Sequence, residues 1–137
     1  MTEVSTEIEL GSSADEVWAL VGDFDGFVEA LGVPVTAEGD DGVGQVRKIE
    51  MGGATTVERC ESLDPASRTI SYSVVSGPLP VQDYLATMQV HDSGEGRSRV
   101  TWDARFEPAG MSEDDAANVI RGIFSGGLAA LQGRFGS

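Results

Sequence analysis

Apolar and polar residues alternate from Val4 through Ile8 to Leu10, the period of a strand with one face in water. The period changes after Gly11. Ala14, Val17, Trp18 and Val21 recur at helical spacing, with Ser12 and Ser13 placed to cap and Asp15 and Glu16 in the first turn, where the helix dipole favours acids. Gly22 closes this short helix. Phe24, Phe27, Val28 and Leu31 then suggest a second short helix or an irregular turn before Pro34. From Val43 to Phe106 five segments read as strands divided by turn signals: Val43 to Met51, Thr55 to Leu63, Arg68 to Val75, Tyr84 to Val90 and Arg99 to Phe106. The connections are short, so strands adjacent in sequence are expected to be adjacent in an antiparallel sheet. Ser112 starts a long final helix with Glu113, Asp114 and Asp115 in its first turn. Its apolar face runs through Ala116, Val119, Ile120, Ile123, Phe124, Leu128, Leu131 and Phe135. Gly122, Gly126 and Gly127 are poor helix formers. If they face the sheet they leave room for a cavity, and a bend is the other reading.

The 137 residues suit one domain, taken as residues 1–137, and no apolar run is long enough to span a bilayer. The segment Met1-Thr2-Glu3-Val4 lacks the basic and apolar regions of a secretory signal, so a cytoplasmic protein is expected. The net charge of −14 is a surface that repels nucleic acid and anionic lipid, and it reads as a solubility device or an adaptation to a salty interior. Cys60 is the only cysteine and His91 the only histidine, which excludes a disulfide and a Cys/His zinc cluster. Asp23-Phe24-Asp25-Gly26 and Asp40-Asp41-Gly42 lack the terminal glutamate of a calcium loop and read as turns. No glycine-rich strand-to-helix turn offers a nucleotide site, so no cofactor is expected.

Three stretches carry a family likeness. They are Ser12-Ser13-Ala14-Asp15-Glu16-Val17-Trp18 continued by Val21-Gly22-Asp23-Phe24; Gly44-Gln45-Val46-Arg47-Lys48-Ile49 followed by Glu58 to Asp64; and Ile70-Ser71-Tyr72, Gly77 to Val81, Asp83-Tyr84 and Val100-Thr101-Trp102. In this order they resemble the START-like (SRPBCC) superfamily of helix-grip proteins. The look is nearest to the bacterial polyketide cyclase/dehydratase-like and plant birch-allergen-like members. The resemblance implies an α+β fold of order β-α-α-β-β-β-β-β-α, a curved antiparallel sheet of about six strands wrapped around the long C-terminal helix. It also implies a pocket between the two, and a shared pocket is not a shared reaction.

Alternation along the strands separates an inner from an outer face. With Lys48 and Glu50 in water, Gln45, Arg47, Ile49 and Met51 point inward, and Thr56, Glu58 and Cys60 share one face of the next strand. Glu58 is then able to meet Arg47 across neighbouring strands. Ile70, Tyr72 and Val74, then Tyr84, Ala86, Met88 and Val90, then Val100, Trp102, Ala104 and Phe106 complete the inner face. The result is an apolar chamber with a few convergent polar groups, the chemistry a small-molecule pocket requires. The candidate ligand contacts are Tyr72, Tyr84, Met88 and Trp102, with Ile120 and Phe124 from the helix; core packing is the first reading of each tyrosine and of Trp102, and ligand contact the second. Arg47 and Glu58 fix strand register as an internal salt bridge, grip the ligand, or do both. Two functions stay open. One is a carrier of a small hydrophobic (aromatic, polyketide-like or lipid-like) molecule, entered past Gly77-Pro78-Leu79-Pro80 and Gly26 to Pro34. The other, implied by the resemblance, is a cofactor-free cyclase/dehydratase with Glu58 as base and Arg47 or a tyrosine as polarising group. His91 reads as a surface residue and Cys60 as a small core residue. The expected assembly is a monomer or weak homodimer, without nucleic acid or membrane insertion.

Overall fold

The computed structural model describes residues 1–137. Strand β1 (Thr2–Leu10) leads to helices α1 (Ala14–Val21) and α2 (Phe24–Ala30). Strands β2 (Val35–Glu38), β3 (Val46–Met51), β4 (Ala54–Asp64), β5 (Thr69–Ser76), β6 (Val81–Gly94) and β7 (Arg97–Pro108) follow, and α3 (Glu113–Phe135) ends the chain. The seven strands form one antiparallel sheet in the order β1-β7-β6-β5-β4-β3-β2. The helices start where polar caps allow. Ser13 accepts from the Glu16 N–H, Asp23 from the Gly26 N–H, and Ser112 from the Asp115 N–H at 3.2 Å. Gly22 caps the end of α1, donating its N–H to the Trp18 carbonyl.

The expected architecture is present, with three differences. The sheet has seven strands, because Val35–Glu38 pairs with β3 as an edge strand. Four residues, three of them exposed, carry too little alternation to stand out after Pro34. Strand β6 starts at Val81 rather than Tyr84. A bulge with Asp83 in the left-handed region (φ 51°) interrupts the alternation there without ending the strand. Finally, Gly122 and Gly126 lie on the exposed face of α3 and do not face the sheet. Gly127 alone does, and a Cβ there would sit 2.6 Å from Cζ3 of Trp102. The glycine therefore admits the indole against the helix and leaves no empty space.

The backbone of α3 approaches β1 and β7, while α2 lies against β2 and β3, and α1 over β6 and β7. Small residues (Ala104, Ala116, Ala117 and Gly127) occupy the close approach. The other half of the sheet curves away from α3 and is bridged by large side chains. One continuous apolar core of 26 buried residues fills the space between helices and sheet. No helix is long and apolar enough to cross a membrane.

Candidate functional site

Met51 and Ala54 are joined by Gly52-Gly53, both at positive φ (59° and 81°), the conformation of a two-residue hairpin whose twist matches the flanking strands. This turn sets the register of β3 against β4, and the register places Arg47 directly opposite Glu58. Both are buried, with side chains 4% and 8% exposed. Nε and Nη2 of Arg47 each reach Oε1 of Glu58 at 2.8 Å, and Nη1 donates to the Phe24 carbonyl at 2.6 Å. The guanidinium lies 4.0 Å from the ring centre of Phe24 and 4.5 Å from that of Tyr72. Arg47 is thus locked from its edge and from its faces. Burial holds the Glu58 carboxyl above its ordinary range, and the charge of Arg47 and its hydrogen bond offset only part of this.

Around this pair an internal cavity of about 80 Å³ is enclosed mainly by apolar side chains. Its floor is the inner face of the sheet: Ile49, Thr56, Tyr72, Tyr84 and Trp102, beside Arg47 and Glu58. Its roof is Phe27 and Val28 of α2 with Ile120 and Phe124 of α3. Trp102 stacks on Phe124 with centroids 4.3 Å apart and meets the edge of Phe27 at 5.6 Å. Its Nε1–H donates to the Tyr72 hydroxyl at 3.1 Å. Burial, with Glu58 close by, pushes the Tyr72 phenol far above its usual value, and burial and Tyr72 do the same to Tyr84. Both phenols are neutral donors at any physiological pH. Leu31, Val33, Met51, Leu79 and Ile123 form a rim that is partly open to solvent.

Arg47, Glu58, Tyr72, Tyr84, Trp102, Ile120 and Phe124 thus all border one cavity. Met88 does not. It is 1% exposed and pairs with Trp102 in the sheet, but it lies further along β6, which α1 covers, and so belongs to the closed core. Met51, expected inside, is 40% exposed at the rim, where β3 runs out into its turn. The residues of α2 and the following loop that roof the cavity were not among the site candidates. Their signal is the helical spacing of Phe24, Phe27, Val28 and Leu31, which places the helix pair at one end of a pocket without singling out which side chains line it. Of the two expected entrance loops, one contributes Leu79 and the other Leu31 and Val33, while Phe24–Ala30 is helical. His91 lies on the outer face of the sheet, within 3.2 Å of Thr101 Oγ1. Cys60 is buried, and burial pushes its thiol up, so it is an inert core side chain. No group of three or more His, Cys, Asp or Glu side chains converges to hold a metal ion. A second, shallower cleft of about 340 Å³ lies on the far side of Phe24, bordered by Trp18, Asp23, Asp41 and Gln45.

A family model described as "Polyketide cyclase / dehydrase and lipid transport" matches residues 1–136. Among solved structures, XoxI from Bacillus cereus is 34% identical, with a TM-score of 0.89, over 98% of this chain and 96% of that one. A protein from Thermobifida fusca is 27% identical, with a TM-score of 0.89, over 99% of this chain and 94% of that one. A START superfamily protein from Mycobacterium smegmatis, 14% identical with a TM-score of 0.81 over 98% and 97% of the two chains, shares the fold alone. Comparison with curated proteins gave no match.

Proposed function

The chain belongs to the polyketide cyclase / dehydrase and lipid transport family, and from that premise we propose that it binds a small hydrophobic molecule in the cavity between the sheet and α3. One observation carries the reading: thirteen of the sixteen side chains around the cavity are hydrophobic, and the remaining three are Arg47, Thr56 and Glu58. Apolar walls with a few fixed polar groups give a ligand both affinity and orientation.

The enclosed volume of about 80 Å³ holds two or three waters at roughly 30 Å³ each and is too small for an aromatic ring. Ligand entry therefore requires the rim to give way. The partly exposed Leu31, Val33, Leu79 and Ile123 are the side chains with space to move. Binding is expected to enlarge the cavity by rotating these residues and to leave the Arg47–Glu58 pair in place. Two measurements test this. Native mass spectrometry of the protein purified from its host, followed by extraction, reads out a retained ligand. Methyl NMR during titration with one- and two-ring aromatics should shift Ile49, Ile120 and Ile123. If no aromatic shifts them and no ligand is retained, the proposal is wrong.

A specific feature favours a second reading. Glu58 lines a mainly apolar chamber with its carboxyl raised by burial, which makes it a better proton acceptor than an exposed carboxylate. In a cyclase/dehydratase of this kind Glu58 removes the proton and a tyrosine hydroxyl polarises the carbonyl. Arg47 is held by protein acceptors at each of its three nitrogens and positions Glu58. On any substrate that is turned over, Glu58→Gln should lower kcat at least about a hundredfold with little change in KM. Unchanged kcat removes Glu58 as the base and leaves the binding reading standing.

A further inference from the structure

The polar groups of the cavity are unequally used, and the difference specifies a ligand chemistry. Arg47 directs all three nitrogens at protein acceptors, using three of its five N–H donors, and is flanked by the rings of Phe24 and Tyr72, so its charge is already met by Glu58 and its faces are covered. Its two contacts with Glu58 fall on the same oxygen, Oε1. The other oxygen, Oε2, accepts no hydrogen bond from the protein, although the side chain is only 8% exposed and borders the cavity. Tyr84, 5% exposed, borders the same space, and its hydroxyl turns toward that of Tyr72 as a donor. Tyr72 accepts from Trp102 and keeps its own O–H to give. The chamber therefore presents one unmatched acceptor, Oε2 of Glu58, and one unmatched phenolic donor, the O–H of Tyr72, among aromatic walls.

A group that donates and accepts at one atom satisfies both. Resting on the cavity reading above, we propose that this site selects a neutral aromatic bearing a hydroxyl group, a phenol. Its O–H donates to Glu58 Oε2, its oxygen accepts from Tyr72, and its ring lies among Phe27, Trp102 and Phe124. A carboxylate brings no proton for Oε2 and meets a like charge. A ketone leaves Oε2 unpaired. An ammonium group brings three donors to a chamber with one free carboxylate oxygen. An unmatched buried polar atom is expensive, so the discrimination is expected to be large.

The test is titration at neutral pH with p-cresol, toluene, 4-methylbenzoate and 4-methylbenzylamine, followed by methyl NMR or calorimetry. The expected result is p-cresol binding at least about tenfold tighter than toluene, with neither ion binding measurably. In the Arg47→Met/Glu58→Leu double variant, checked for native circular dichroism, toluene should still bind and the phenol preference should fall to within about twofold. Tyr72→Phe should lower p-cresol affinity and spare toluene, and it supplies the test if the double variant does not fold. Equal binding of toluene and p-cresol overturns the inference and leaves the cavity reading intact, as does tighter binding of the benzoate or the amine. If no probe binds, the cavity reading fails and this inference falls with it.

Discussion

Removing Arg47 is the most informative perturbation of this protein. In Arg47→Met the stem is kept and the charge is lost, so the buried carboxyl of Glu58 loses its only counter-ion and the Phe24 carbonyl its side-chain donor. Breaking a buried pair from one side costs about 3–5 kcal/mol. That is a large share of the stability of an ordinary domain, about 5–15 kcal/mol. Removing both partners has a different outcome. Arg47→Met/Glu58→Leu replaces the ion pair by apolar side chains, which is neutral or stabilising by about 1–4 kcal/mol. A double-mutant cycle by urea unfolding should therefore show about 3 kcal/mol of coupling, with the double variant more stable than Arg47→Met. The pH dependence follows from the same groups. The folded-state carboxyl of Glu58 is raised above 4.5, so its contribution is complete below that value and is lost as pH rises through the raised value. Arg47 limits the rise, and without it more stability is lost between pH 5 and pH 8, about 1.4 kcal/mol for each further unit. Coupling below about 0.5 kcal/mol, or a cost for Arg47→Met that does not change between pH 5 and pH 8, would refute this account of the site.

Gly127→Ala places a methyl against the Trp102 ring and should cost about 1–3 kcal/mol by overpacking; a changed near-UV dichroism of the tryptophans would accompany it, and an unchanged melt would show that the ring yields freely. Tyr72 and Tyr84 are the only tyrosines, and both phenols are raised, so absorbance near 295 nm should show no phenolate at pH 11 while the fold persists. Their contribution to stability is complete below the ordinary value of 10 and is lost as pH rises toward the raised values, so ionisation should coincide with alkaline unfolding. Ser112→Ala removes the cap that accepts from Asp115 N–H and should lower stability by about 1 kcal/mol in thermal melts, without altering ligand affinity. A net charge of −14 repels itself, so the melting temperature should rise between low salt and about 0.5 M NaCl, where the Debye length falls to a few ångströms.

Periodicity carried most of the fold. The strands from Val46 to Phe106 and the helix begun by Ser112 alternate or repeat cleanly, because each buries one face against a single core. Two features escaped that logic for local reasons. The edge strand Val35–Glu38 buries too little to be patterned, and Asp83 bulges out of a strand that continues on either side. The pairing of Arg47 with Glu58 was legible because a Gly-Gly hairpin leaves one register, and in that register the two positions face each other. What escaped was depth along a strand. Met88 and Tyr84 share a face of β6 and read alike in sequence, yet one lies beneath α1 and the other beside the cavity. That distinction depends on where helices from distant parts of the chain come to rest.

The same limit applies to the glycines of α3. Gly122, Gly126 and Gly127 look equivalent as weak helix positions, and only their angle about the helix axis tells them apart. Gly127 faces Trp102 and lets the indole lie flat between helix and sheet, stacked on Phe124 and donating to Tyr72. Through that donation the helix is tied to the polar end of the cavity: Trp102 holds Tyr72, Tyr72 covers Arg47, and Arg47 occupies one oxygen of Glu58. The remaining oxygen is the one strong acceptor left to a ligand. Each residue in this chain of contacts can be named from its strand face alone. Its place in the sequence of contacts requires the helix, and a glycine that admits the indole beneath it.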